Sequence, residues 1–545
     1  MSRKSVIKAL GTLACVVLAC IIISFTHASR AAEKTRSALM GAWHQVQFGS
    51  AHAASPKRRR NDAGSWTAPV STLDVEVHAA LLYTGKVVVW GVLQGGPNPP
   101  PPWTPSKLID PIANTVTDVS PTFDDDFVCG GNSYLPNGNL LVTGGNVIPV
   151  NLFGAGITAV AIFNPATETW YQGTPMNYPR WYPTNVEMAD GTTIVLSGHD
   201  TTGRYSVAQA ESYNPTTGQW TVLPSTANDP NGTDSNLLYP RLQLLPNGML
   251  FQGPPDLGSF LYNPTTQTWQ HSATMMETGS NNTGTLFYAS HIQVPNTNVI
   301  WVFGGTPSNA NGGTTNVETT QYIDYSQPNP KWQWGASLPD GQGRYNQVGL
   351  FLADGTVMAV GGNWGPGRYG NPQQQSLIYT PGASNWLNGT WKTTTGFYNS
   401  NTVVRGYHSV AVLLPDGRVL STGSTSGAQY DNTYQIYSPP YLSNGTRPTI
   451  TNAPATVNYG QNFVITTPDA SNINSVALIA PTATTHALNM TQRYVPLNFS
   501  IGSGNVTAAA PQNGNLAPPG YYMLVIVSNT GVPSVASWIQ IPPAT

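Results

Sequence analysis

Charge is scarce in this chain. Of 545 residues only 9% are Asp, Glu, Lys or Arg, and the formal net charge is -2. No field strong enough to gather a polyanion is written here, so a nucleic-acid partner is excluded. Cysteine is scarcer still: Cys15, Cys20 and Cys129 are all there is. The first two fall inside an apolar N-terminal run, which leaves Cys129 alone in the body and excludes a disulfide-stapled domain. Long amphipathic helical patterns are missing after residue 60, and no strand–helix unit carries the Gly-x-Gly-x-x-Gly fingerprint of a nicotinamide or flavin site. Paired carboxylates are also lacking. Glu76, Asp124-Asp125-Asp126 and Asp200 make no convincing pair, which counts against a glycosidase.

What the chain does have is glycine (54) and proline (46), with Asn, Thr and Ser crowding the spaces between apolar runs. That mixture suits many short strands joined by tight turns, because Gly and Asn tolerate positive φ and Pro cannot pair. The fold class is all-β. At the N-terminus, Arg3, Lys4 and Lys8 precede an uncharged run from Ala9 to Phe25. Residues 1–30 read as a targeting segment, either a cleaved signal or a retained membrane anchor through residues 9–25. Residues 31–65, with Lys57-Arg58-Arg59-Arg60, read as a polar linker. The expected location is secreted or on the cell surface.

A pattern of apolar strand, turn and apolar strand then recurs. Its turns contain Gly85, Gly138, Gly191, Gly248, Asn298, Gly355 and Gly417, at spacings of 53, 53, 57, 50, 57 and 62 residues. Several repeats close with a second hairpin: Phe163 to Trp170, Tyr213 to Trp220, Tyr262 to Trp269 and, more weakly, Tyr379 to Trp386. A period near 50 with four strands per unit is the kelch signature. It predicts a seven-bladed propeller over 66–440, with Trp66 to Val77 supplying strands at the ring closure. From 441 to 545 the period stops and alternating runs between Pro/Gly/Asn turns predict an immunoglobulin-like sandwich.

The repeats allow positions in different blades to be compared. Nine residues before the hairpin glycine stand Cys129 in the second repeat, Tyr182 in the third, Tyr239 in the fourth, Asn346 beside Tyr345 in the sixth, and His408 beside Tyr407 in the seventh. Glu76 shares that place in the first. Equivalent positions lie at one height around a propeller axis, so a thiol, phenols and an imidazole converge at one mouth. Singly, each residue reads more simply as packing. One objection stands: Tyr407 and His408 are neighbours, and neighbours on a regular strand face opposite ways. Tyrosinate with imidazole suits copper in tetragonal geometry. His486, in Ala483-Thr484-Thr485-His486, is the best second imidazole, ahead of His78, His199, His271 and His291.

At these residues the sequence resembles the galactose oxidase and glyoxal oxidase family of copper radical oxidases. Five elements in order carry the resemblance. They are Cys129 ahead of Leu-Pro-Asn-Gly, Tyr182 in Arg-Trp-Tyr-Pro-Thr, Tyr407-His408 before Leu-Pro-Asp-Gly-Arg, the Tyr-Ser-Pro-Pro-Tyr-Leu exit, and His486 followed by Asn489 and Gln492-Arg493. The resemblance implies one copper ion held by Tyr182, Tyr407, His408 and His486. It implies a Cys129–Tyr182 thioether whose phenoxyl radical takes a hydrogen atom from the substrate carbon, and Tyr407 as the base. A small aldehyde or primary alcohol would be oxidised while dioxygen is reduced to hydrogen peroxide, by a protein expected to be a monomer.

Two departures bear on the substrate. The residues before Trp66 leave no room for the carbohydrate-binding sandwich of the galactose-oxidising members. Where those members place a tryptophan over the crosslinked tyrosine, Gly198 is followed by His199 and Asp200. The shield would come from His199 or elsewhere, such as Trp364, and the pattern is closer to the glyoxal oxidase branch. Arg241 and Arg344 read equally as mouth residues or as structural ones. The rival reading is a non-enzymatic kelch propeller that binds a cell-surface glycan or a protein, which the fold alone supports as well.

Overall fold

The computed structural model describes residues 63–544 apart from 94–102, 148–153, 233–237, 277–285, 307–316, 340, 342, 366–369, 398–401, 427–429 and 492. The N-terminal run and most of the linker lie outside the described residues, as does Gln492. The described chain is all-β, broken only by single 3-10 turns.

The repeat period becomes seven sheets of at least four strands each. The second sheet shows how the sequence builds one. Gly131–Tyr134 and Leu140–Thr143 pair across Pro136-Asn137-Gly138, and Val160–Asn164 and Thr169–Gln172 complete it. Gly138 sits at φ 85, and its N–H donates to the Leu135 carbonyl at 2.8 Å. A side chain at that φ is disfavoured, which explains glycine there. The closing motif becomes a cross-strand aromatic pair: Phe163 opposes Trp170, Tyr213 opposes Trp220 and Tyr262 opposes Trp269. Ring centroids in these pairs lie 5.0–5.1 Å apart, the separation at which aromatic pairs add stability beyond their buried area.

The first strand of each sheet is buried along its length or nearly so, and these strands face one another across neighbouring sheets. The seventh sheet joins the two ends of the repeat region. Ser65–Trp66 and Val70–Ser71 pair with Thr433–Ser438, close to where the period ends in sequence.

The C-terminal region forms two sheets with an apolar core of its own. One contains Asn462–Thr466, Phe499–Gly502 and Asn505–Ala509; the other contains Ile473–Ile479, Tyr494–Leu497, Gly520–Ser528 and Ser537–Ile541. Between them a hairpin, Ala483–Thr485 with Leu488–Asn489, leaves the region altogether. It pairs with the first strand of the first sheet, Asp74–Leu81, through His78↔Thr485 and Ala80↔Ala483. The bend of this hairpin is His486-Ala487, both left-handed at φ 47 and φ 65.

Candidate metal centre

Six residues hold the place nine before the hairpin turn: Cys129, Tyr182, Tyr239, Tyr288, Asn346 and His408. All six are left-handed, with φ between 52 and 68. Each therefore stands just outside its inner strand, and the chain turns sharply there. This removes the objection about Tyr407 and His408. The left-handed turn folds them onto each other, with rings stacked at 3.8 Å, so neighbours face one centre. The first sheet is the exception, since Glu76 lies buried within the strand Asp74–Leu81.

Tyr182, Tyr407, His408, His486 and Cys129 come together. Tyr182 Oη is 2.7 Å from both Tyr407 Oη and His486 Nε2, and Cys129 Sγ is 3.9 Å from His486 Nε2. Ligand atoms of Cys129, His408 and His486 all lie within 4.8 Å of one another. Threonines orient the two imidazoles. Thr485 Oγ1 lies 2.6 Å from His486 Nδ1, and Thr425 Oγ1 lies 2.8 Å from His408 Nδ1. The Thr485 hydroxyl donates to the Val77 carbonyl, so it accepts the Nδ1–H of His486 and leaves Nε2 as the donor atom toward the centre. Burial above all, then the neighbouring Cys129 and Tyr407, pushes the Tyr182 phenol well above its ordinary range.

The glyoxal oxidase N-terminus family pattern matches residues 103–442. The chain belongs to the glyoxal oxidase family. A galactose oxidase-like Early set domain matches residues 447–541. The chain is 29% identical over 506 residues to galactose oxidase of Gibberella zeae, covering 88% of this chain and 70% of that protein. It is 28% identical over 460 residues to aldehyde oxidase GLOX of Vitis pseudoreticulata, covering 77% and 82%. A solved fungal alcohol oxidase of the AA5 family, in complex with copper, shares the fold. Its TM-score is 0.75 at 21% identity, over 88% of this chain and all of that one.

The donor set fits a copper ion. Two imidazole nitrogens and two phenol oxygens suit copper better than a hard, oxygen-seeking cation. Buried phenols ionise only beside positive charge, which a divalent ion supplies.

The structure places the remaining candidate residues as well. The ring that covers Tyr182 is neither His199 nor Trp364 but Trp181, stacked at 3.7 Å and 20°. His199 stands behind it, 5.5 Å from Trp181. Tyr239 stacks on Tyr182 at 4.5 Å, and its hydroxyl donates to the Gly130 carbonyl. Trp181 was legible in Arg-Trp-Tyr-Pro-Thr, but its neighbour's left-handed φ, which lets adjacent rings stack, was not. Arg241 and Arg344 are buried and donate to backbone carbonyls, Arg241 to Tyr239 and Ala289 and Arg344 to Gly361 and Gln375, so the structural reading holds. Asp200 caps the turn at Thr202, and Asp125 accepts from Gln172. His271 is exposed on an outer strand and His291 is buried on an inner one. Asn489 donates to the Gly349 carbonyl and Arg493 to those of Leu244, Asn515 and Leu516, so both brace the inserted hairpin.

Tyr288 escaped the sequence count because its turn, Pro295-Asn296-Thr297, has no glycine. Thr297 N–H still donates to Val294, as the turn glycine does elsewhere, and nine residues before Thr297 is Tyr288. Its ring meets Tyr407 edge-on at 5.7 Å.

Proposed function

We propose that this protein is a copper radical oxidase that oxidises a small aldehyde or primary alcohol and reduces dioxygen to hydrogen peroxide. The observation that carries the reading is the convergence of Tyr182 Oη, at 2.7 Å, on both Tyr407 Oη and His486 Nε2, beside the one cysteine of the body. In this reading the seven sheets are the blades of a closed propeller over 66–440. Residues 441–545 are an immunoglobulin-like domain whose hairpin delivers His486.

Tyr182, Tyr407, His408 and His486 hold the metal. Bound there, copper supplies one-electron redox chemistry and a positive charge that favours phenolate. Oxidation of an alcohol or aldehyde hydrate removes two electrons and two protons, and these reach dioxygen overall. Tyr407 takes the substrate hydroxyl proton. Tyr182, joined to Cys129 through a thioether, takes a hydrogen atom from the substrate carbon. The sulfur spreads the unpaired electron over a larger π system and lowers its potential. Trp181 and Tyr239 on the two stacked contacts of the Tyr182 ring keep water away from it. A glycan- or protein-binding propeller leaves this convergence unexplained.

Loading the purified body with copper in air, followed by intact mass measurement, tests the proposal. Wild type is expected to lose the mass of two hydrogen atoms and Cys129→Ser to lose none, with Cys129 and Tyr182 found in one crosslinked peptide. Copper binding without that loss overturns the radical mechanism. A peroxide-coupled screen of small aldehydes and primary alcohols then assigns the substrate. The same reading makes the protein a monomer outside the cytoplasm. Gel filtration and N-terminal sequencing of the exported protein check both, and decide between a cleaved signal and a retained anchor.

A further inference from the structure

Backbone hydrogen bonds tie three of the six left-handed positions to the sheet before. The Tyr182 N–H donates to the Cys129 carbonyl at 3.0 Å, that of Tyr239 to Tyr182 at 2.9 Å, and that of Asn346 to Tyr288 at 3.2 Å. Each hangs its amide on the carbonyl of its counterpart one sheet earlier. Cys129 has no such counterpart, because the first sheet runs as continuous strand from Asp74 to Leu81, bulged between Glu76 and His78 but with no left-handed residue. Its N–H goes instead to a side chain, Nε2 of His78, at 2.9 Å.

The Cys129 amide is the shorter contact of this nitrogen; Thr485 Oγ1 lies 3.5 Å from it. His78 is fully buried and stacked on Trp90 at 4.6 Å and 10°. Because Nε2 accepts, the ring proton sits on Nδ1, which lies 3.2 Å from Asn132 Oδ1 and donates to it. Asn132 follows Cys129 by three residues, so one imidazole grips both ends of Cys129-Gly130-Gly131-Asn132. A non-glycine residue at φ 66 is disfavoured on its own and persists only where its surroundings over-determine it. His78 on the amide and Tyr182 on the carbonyl are those surroundings.

We propose that His78 is a positioning residue for the Cys129–Tyr182 thioether: its imidazole holds the cysteine backbone in the left-handed conformation that turns Sγ toward the Tyr182 ring. The proposal rests on the reading given under Proposed function. The step it serves forms one S–C bond at a ring carbon beside the hydroxyl and breaks one S–H and one C–H bond. Its two electrons and two protons pass to dioxygen, which leaves as hydrogen peroxide. His78 exchanges neither proton nor electron in it.

The decisive pair is His78→Gln and His78→Met. The two side chains are nearly the same shape, but only glutamine offers an acceptor in place of Nε2. Copper is added in air and loss of the two hydrogens is timed by intact mass, with copper content measured separately. His78→Met is expected to crosslink about tenfold more slowly at unchanged copper content, the rate equivalent of one buried hydrogen bond. His78→Gln is expected to stay close to wild type. Equal rates for Met and Gln overturn the proposal. If His78→Met does not fold, Asn132→Ala carries the same test, since it frees the imidazole to put its proton on Nε2, and a wild-type rate there overturns the proposal. Should wild type itself form no thioether, the radical reading has failed, and this one is judged by hydrogen exchange of the Cys129 amide. Protection in wild type and Gln with faster exchange in Met upholds it; equal exchange sinks it.

Discussion

Glu211→Gln is the substitution whose cost is most directly set by the structure. Glu211 and Arg180 are both fully buried, and Arg180 Nη2 lies 3.0 Å from Glu211 Oε1. The same carboxylate accepts from Asn177 N–H and Nδ2–H and from Tyr178 N–H. Arg180 also donates to the carbonyls of Ser197 and Gln209. The pair thus ties the approach to Tyr182, two residues further on, to the third strand of its sheet. Glutamine keeps the volume and loses the charge, and its NH2 group must face one of these donors. Uncovering one buried charge in this way costs about 3–5 kcal/mol. An unfolding entropy of about 2.1 cal/mol/K per residue gives about 1 kcal/mol/K for a body of this size, so Tm should fall by about 3–5 °C. Calorimetry on Glu211→Gln, Arg180→Met and the double variant makes the check. If the charge pair is responsible, the double variant is less damaged than the sum of the singles by about 2 kcal/mol or more. Additive losses, or a Tm within a degree of wild type, would refute the reasoning.

Three further outcomes follow from the geometry. Thr425→Val removes the group that orients His408 through Nδ1, and copper affinity in a chelator competition should drop by about 10–100-fold with the fold intact. Trp181→Leu strips the ring stacked on Tyr182 and removes roughly 0.5–1.5 kcal/mol of stacking. The phenoxyl absorption of the oxidised variant should decay faster than that of wild type, and an unchanged lifetime would move the shield elsewhere. Burial holds the Glu187 carboxyl up at about 7, so the folded protein keeps a proton that the unfolded chain releases from about 4.5 upward. Stability from this group is complete below the unfolded value and is lost as pH rises through 7. Glu187→Gln should therefore match wild type in unfolding free energy at pH 4 and exceed it at pH 8, by about 1–2 kcal/mol for a partly exposed group.

Much of this was legible in the sequence because it is repeated. Seven hairpin turns at similar spacing fix where each inner strand begins, so Cys129, Tyr182, Tyr239, Asn346 and His408 fall side by side from the sequence alone. The count failed where a local signal changed. Tyr288 was missed because threonine replaces glycine in its turn, although the backbone hydrogen bond survives. Residue types alone also gave no warning that the shared position is left-handed. Alternation along a strand therefore predicted the wrong faces for Tyr407 and His408, and the same left-handed turn that lets Trp181 stack on Tyr182 could not be read from residue types.

The least legible feature is the one the site depends on most. His486 reaches the centre because Ala483–Thr485 pairs with Asp74–Leu81, strands that lie about 400 residues apart in sequence. Nothing local encodes such a pairing, and closing so long a loop is costly until the contacts form. The contacts that reward it are specific. Thr485 binds the Val77 carbonyl and the His486 ring, while Thr484 binds the Ala411 carbonyl of the seventh sheet. The first sheet can accept this hairpin because its inner strand continues where the other six sheets turn into a left-handed residue. Receiving His486 and lacking a central residue of its own are thus one structural fact, and His78 fills the gap that this leaves beside Cys129.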